Sequence, residues 1–142
     1  MRLIDANLLI YAYAESLPHH PRTKEWLESV LNGVARVGIP WESSLAFVRI
    51  VTNPRVFERP APISDAWGQV KSWLDAPTVW VPSATEKHAE VLDQLLAGGG
   101  LGPNHIPDAY LAAIAIEHGL VLCSTNRDFA RFPGIKIENP LA

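Results

Sequence analysis

The feature that most constrains this chain is the alternation of short apolar runs with amphipathic stretches along all 142 residues. Strands that alternate with helices need crossover connections, which favour a mainly parallel sheet with helices on both faces. The predicted strands are Leu3-Ile4, Val34 to Ile39, Thr78 to Val81, Leu120 to Cys123 and, at an edge, Ile135 to Ile137. Between them the periodicity predicts helices over Pro21 to Asn32, Trp41 to Thr52, Ser64 to Leu74, Thr85 to Ala97 and His105 to His118. Pro21 suits a first turn, Ser64 an N-cap, and Gly33 and Gly119 helix ends. Leu45, Val48 and Thr52 are expected to share one face of the second helix, and Leu92, Leu95 and Leu96 to face inward on the fourth. The His105 to His118 segment is mostly Ala, Leu and Ile, so it is expected to be buried, and Asp128 to Phe132 to form a helical turn.

A chain of this length makes one domain, 1-142, with a core of its own. Its single cysteine, Cys123, excludes an internal disulfide framework and any site built on several thiolates. The apolar stretch Leu8 to Ala14 is far shorter than the roughly 20 residues of a membrane span. Asp5 and Asn7 interrupt what would otherwise imitate a signal peptide, so a cytoplasmic protein is expected. With 12 basic and 15 acidic residues, the net charge of -3 excludes a protein that holds nucleic acid by a general coat of positive charge.

In open parallel sheets the functional crevice lies beyond the carboxyl ends of the strands. Four acids stand there: Asp5 after the first strand, Glu42 in the first turn of the helix after the second, Asp108 in the first turn of the buried helix, and Asp128 after Cys123. Taken singly, a first-turn acid such as Glu42 or Asp108 only complements the helix dipole, a stabilisation of about 0.3–1 kcal/mol. Asp5, at a strand end, is not a cap of that kind. Together the four would repel, since two carboxylates at about 4 Å cost roughly 4 kcal/mol at an effective dielectric of 20. Several in one cleft take up protons or demand a cation. Oxygen donors without thiolates or paired histidines suit a hard ion such as Mg²⁺ or Mn²⁺.

These residues sit in a pattern that resembles the PIN-domain nucleases of the VapC toxin type. Asp5-Ala-Asn-Leu-Leu-Ile-Tyr-Ala is similar to the opening of that family, and Glu42 with Phe47-Val48-Arg49-Ile50-Val51-Thr52-Asn53-Pro54 to its second element. Asp108-Ala-Tyr-Leu-Ala-Ala-Ile-Ala resembles the third. Ser124-Thr125-Asn126-Arg127-Asp128-Phe129 with Arg131-Phe132-Pro133-Gly134 resembles the fourth, and Glu138-Asn139-Pro140 the ending. The resemblance runs through the whole chain in order. It implies an α/β fold, a three-layer α/β/α sandwich with a mainly parallel sheet. It also implies a metal-dependent endoribonuclease in which a metal-activated water hydrolyses RNA phosphodiesters. By that resemblance Asp5 and Asp108 are direct ligands of Mg²⁺ (or Mn²⁺), Glu42 is a ligand or water-positioning acid, and Asp128 is a fourth member of the catalytic set. Many relatives carry an acid where this chain has Asn126, which puts a second metal in doubt. Thr125, Ser124 or Asn7 would orient Asp5 or a water. A homodimer and a small antitoxin that silences the groove are implied partners.

Arg49, Arg55 and Arg59 form one basic stretch, and Arg127, Arg131 and Lys136 another. Either can contact an RNA backbone, with Arg49, Arg127, Asn126 and Thr125 as the substrate-binding candidates, or can be a solvated face. Arg49 can instead pair with Glu42, two helical turns away. His19 and His20 are adjacent and point apart, so a loop position is expected rather than a metal pair. Of the five tryptophans, Trp26, Trp73 and Trp80 suit the core, and Trp41, beside Glu42, suits a groove. Gly98 to Gly102 lacks the Gly-Lys-Ser/Thr ending of a phosphate loop and reads as a mobile loop. A receiver-type phosphoacceptor domain would need paired acids after the first strand, and a haloacid-dehalogenase-type phosphatase Asp at residue 7, where Asn stands. The remaining rival is a catalytically silent PIN-like scaffold.

Overall fold

The structure is a computed structural model that describes all 142 residues. Five short strands, β1 (Arg2–Ile4), β2 (Val37–Gly38), β3 (Val79–Trp80), β4 (Val121–Cys123) and β5 (Lys136–Glu138), form one sheet in the order β3-β2-β1-β4-β5. Every pairing is parallel. The six helices are α1 (Ala6–Tyr13), α2 (His20–Leu31), α3 (Trp41–Val51), α4 (Ile63–Leu74), α5 (His88–Leu96) and α6 (Ile106–His118). Two 3-10 turns, Pro103–His105 and Arg127–Arg131, precede α6 and β5.

The pleat of β1 and β4 divides the core. Ile4 and Cys123 pack with Leu8, Leu9, Phe47, Val70 and Trp73 beneath α1 to α4. Their neighbours Leu3 and Leu122 face the other way, into a cluster with Leu95, Ile114, Phe129 and Phe132. Successive strand residues point to opposite faces, so this split makes the sandwich three-layered. Gly38 is required where β2 meets a close neighbour, because a Cβ there would lie 2.9 Å from Pro82 Cγ. Gly119, at φ 66°, ends α6 in the left-handed conformation as expected.

Several local expectations change. Helix α1 was not anticipated, because Leu8, Leu9 and Ile10 are all buried and leave no polar stripe to reveal a period. The second strand is only Val37–Gly38, with Val34 fully exposed. The inner face of α3 is Ser43, Ser44, Phe47 and Val51, while Leu45 faces solvent. In α5 only Leu95 of the three expected leucines is fully buried, and Leu96 is exposed. His20 opens α2 and its Nδ1 lies 3.0 Å from the Tyr11 carbonyl oxygen, a structural contact rather than a metal pair.

Candidate active site

Because β1 leads on one side to β2 and β3 and β4 lies on the other, the connections reverse direction around β1. A crevice opens at the carboxyl ends of the strands at such a point. Asp5 follows β1 directly, and its backbone N–H donates to the Cys123 carbonyl at 3.0 Å. Its side chain caps α1: Oδ1 accepts from the Ala6 N–H at 2.8 Å. Contrary to expectation, Asp5 is thus a helix-capping acid, because a helix follows β1 directly. Oδ2 accepts from Ser124 Oγ at 2.6 Å, so both carboxylate oxygens are held.

Ser124 is the node of this wall. Besides donating to Asp5, its Oγ accepts from Asn7 Nδ2 at 3.3 Å and from the Asn126 N–H at 3.0 Å. Asn7 Nδ2 also donates to Thr125 Oγ1 at 2.9 Å, which draws Thr125 into the scaffold. From the opposite wall, Ser43 Oγ donates to the Ile4 carbonyl at 2.7 Å and ties the first turn of α3 to the end of β1. That bond sets Glu42 across from Asp5. The Ser43 contact was missed in the sequence, where a serine on a helix reads as outward-facing.

Asp5, Glu42 and Asp108 line a common cleft of about 180 Å³ with Ala6, Ser43, Ala46, Pro107 and Leu111. Burial holds the Asp5 carboxyl above its ordinary range, against the lowering pull of Ser124 and Ala6. Burial likewise raises Asp108, and repulsion from Asp5 and Asp128 adds to it, while His105 and a hydrogen bond from Asn126 oppose the rise. Asp128 is thus close enough to act on Asp108 but does not line the cleft. It is half-exposed on its 3-10 turn, with His105 Nε2 at 3.9 Å and Arg131 Nε at 3.6 Å. Asn126 caps that turn, its Oδ1 accepting from the Asp128 N–H at 3.0 Å.

The other candidates separate. Thr125, Asn126 and Arg127 line a neighbouring cavity of about 380 Å³ with Ser124, Ala130, Ile137 and Asn139. Arg49 is exposed on α3 and makes no ion pair with Glu42 or with any other acid. Seven residues of helix rise about 10 Å, too far for the pair considered above to close. Arg131 is engaged by Asp128. His105 was not anticipated; its Nδ1 accepts from the Gly102 N–H at 2.8 Å, which leaves Nε2 as the donor when the ring is neutral. Its place three residues before Asp108 was the available signal.

No three carboxylate, imidazole or thiol side chains close on one point as a finished cation cage. The donor chemistry nonetheless suits a hard divalent ion. The cleft acids offer only oxygen, Asp5 and Asp108 repel each other, and no lysine or arginine among the cleft's lining residues offsets them. Mg²⁺ usually retains several waters and needs only one or two carboxylates, so an open acidic cleft fits it better than a cage would.

The PIN domain family matches residues 2–135. Over 142 residues, all of this chain and 99% of the relative, the sequence is 41% identical to Ribonuclease VapC37 of Mycobacterium tuberculosis. It is 36% identical to Ribonuclease VapC33 of the same species over 141 residues, 99% of each chain. Among solved structures, VapBC2 from Rickettsia felis bound to a DNA fragment from its promoter superposes with a TM-score of 0.69 at 19% identity. The superposition covers 97% of both chains.

Proposed function

The chain belongs to the PIN-domain family, among its VapC-type ribonucleases, and from that premise we propose that it is a Mg²⁺-dependent endoribonuclease, the toxin of a type II toxin–antitoxin pair. The observation that carries the reading is the convergence of Asp5, Glu42 and Asp108 on one cleft at the reversal point of the sheet. Asp5 and Asp108 would hold the cation, with Mn²⁺ as an alternative. When bound, it offsets phosphate charge and eases the ionisation of water.

The residues themselves do three things in this reading. Ser124 and the Ala6 N–H fix the Asp5 carboxylate, so that its position does not depend on the substrate. Glu42, which lines the cleft next to the Ser43 bond, would position an attacking water and accept its proton in this reading. Asp128 acts from outside the cleft by raising the negative potential at Asp108, and Thr125, Asn126 and Arg127 offer polar contacts to the RNA backbone in the adjoining cavity. The antitoxin is a small protein that occupies the groove, and the toxin itself pairs as a homodimer within the hetero-oligomer. The name of the related structure, a VapBC complex, supports the antitoxin partner. The three acids that line the cleft, with Asp128 close enough to act on Asp108, argue against a silent scaffold.

The test is cleavage of RNA by purified protein with Mg²⁺, with EDTA, and with Asp5→Asn. Cleavage is expected only for the wild-type chain with the cation. Persistence in EDTA, or at the wild-type rate in the variant, overturns the mechanism, and failure to cleave any RNA favours the scaffold.

A further inference from the structure

Two tryptophans lie where a core residue should not. Trp41 and Trp67 are 44% and 38% exposed, yet they stack on each other with centroids 6.4 Å apart and planes 24° from parallel. A few residues inward, Phe47 and Trp73 join the same two helices at 4.9 Å, inside the core. The exposed pair is therefore not needed to close the α3–α4 contact. It holds one indole in a fixed plane, open to solvent.

The neighbours of that pair point to a ligand class. On α3, Trp41, Leu45 and Arg49 follow at four-residue spacing, beside the row of Glu42 and Ala46 that lines the acidic cleft. On α4, Ile63, Trp67 and Lys71 follow at the same spacing. Arg49 and Lys71 are exposed, and neither belongs to any of the ion pairs of the chain. The acids on the two helices are Glu42, which belongs to the cleft, and Asp65. An aromatic plane with unpaired cations, continuous with the site where a phosphate is cut, suits a single nucleic-acid strand. Bases stack on aromatic faces without regard to sequence, and the cations follow the backbone.

We infer that the outward face of α3 and α4 seats an unpaired RNA segment next to the scissile phosphate, with one base stacked on Trp41 and phosphates held by Arg49 and Lys71. This rests on the ribonuclease reading above and adds to it the residues that seat the strand beside the cleft. Base faces hidden in a duplex cannot reach the indole. Trp67 acts through Trp41, by fixing its plane.

The experiment measures binding of a short unpaired oligoribonucleotide, and of the same sequence in a duplex, to the full chain carrying Asp108→Asn to prevent cleavage. Adding Trp41→Ala is expected to weaken the unpaired oligomer about tenfold, the scale of one lost base stack. Trp41→Phe should stay within about twofold, and duplex affinity should not respond to either change. Arg49→Ala with Lys71→Ala should flatten the salt dependence of the logarithm of affinity by about 1.4, or about 0.7 per lost phosphate contact. Light scattering and melting curves on the same proteins separate the alternatives. Unchanged RNA affinity in Trp41→Ala overturns the inference while leaving cleavage by the wild-type chain to support the nuclease reading. If RNA affinity is unchanged and Trp41→Ala also converts a dimer to a monomer, the face belongs to a second copy of the chain. Absence of both RNA binding and wild-type cleavage removes both readings.

Discussion

The two ends of the acidic constellation are built in opposite ways. Asp5 is half-buried at the end of a central strand, with both oxygens bound and its serine partner, itself buried, tied to two further groups. Asp128 is half-exposed on a five-residue 3-10 turn, and its neighbours His105 and Arg131 stand beyond ordinary hydrogen-bond length. One carboxylate is placed by the sheet, the other by a surface loop. A group that must meet a phosphate in one geometry benefits from the first arrangement, and a group that acts through its field alone can tolerate the second.

Substitutions at the two ends should break this contrast in proportion. Asp5→Asn is expected to lower cleavage by about a thousandfold or more, on the scale of losing a preorganised charged group, in a single-turnover assay. The same substitution should not reduce stability without cation. Burial raises the Asp5 carboxyl, so the folded chain binds that proton more tightly than the unfolded chain does. Stability therefore falls as pH rises from the ordinary 3.8 through the raised value, and the neutral amide escapes that fall. Melting curves in EDTA should show Asp5→Asn gaining on wild type as pH rises from about 4 to 7, and a growing deficit instead would contradict the burial argument.

Ser124→Ala leaves the Asp5 charge but removes its fixed partner and two acceptor contacts. The expected loss is about ten- to a hundredfold in turnover with about 1–3 kcal/mol in stability, the cost of stranding buried polar groups. Denaturant unfolding of the same protein checks the second figure. Asp128→Asn should cost less than about tenfold in turnover, and in stability under about 0.5 kcal/mol, since its pairs are exposed. A loss there equal to that at Asp5 would show that the loop is ordered as strictly as the strand. The smallest effect expected is a rise of a few degrees in wild-type melting temperature on adding Mg²⁺ well above its dissociation constant. Asp5→Asn with Asp108→Asn should abolish that shift, which thermal unfolding at matched ionic strength measures.

Much of the site is readable in the sequence because it depends on where strands end. Asp5, Glu42 and Asp108 each follow or face a strand terminus, and a parallel sheet brings those termini to one edge whatever the packing details. The inner face of α3 is less readable. Ser43 and Ser44 are buried there, Ser43 with its hydroxyl bonded to the Ile4 carbonyl, while Leu45 is exposed, so an apolar stripe selects the wrong side. Helix α1 escapes notice for the opposite reason: each of its residues is buried or half-buried, so it has no exposed polar face to set a period.

The residue order alone determined the fold class, the parallel sheet and the placing of acids along one edge of it, since these follow from alternation and from the ends of strands. Only the tertiary structure decided that Asp5 caps a helix while facing the cleft, that Ser124 holds it, and that Asp128 stays outside. It also decided that Trp41 stands in solvent against Trp67 rather than in the core. Those outcomes depend on contacts between residues more than a hundred positions apart, or on which side of a helix meets its neighbour. Periodicity within one segment carries no information about either.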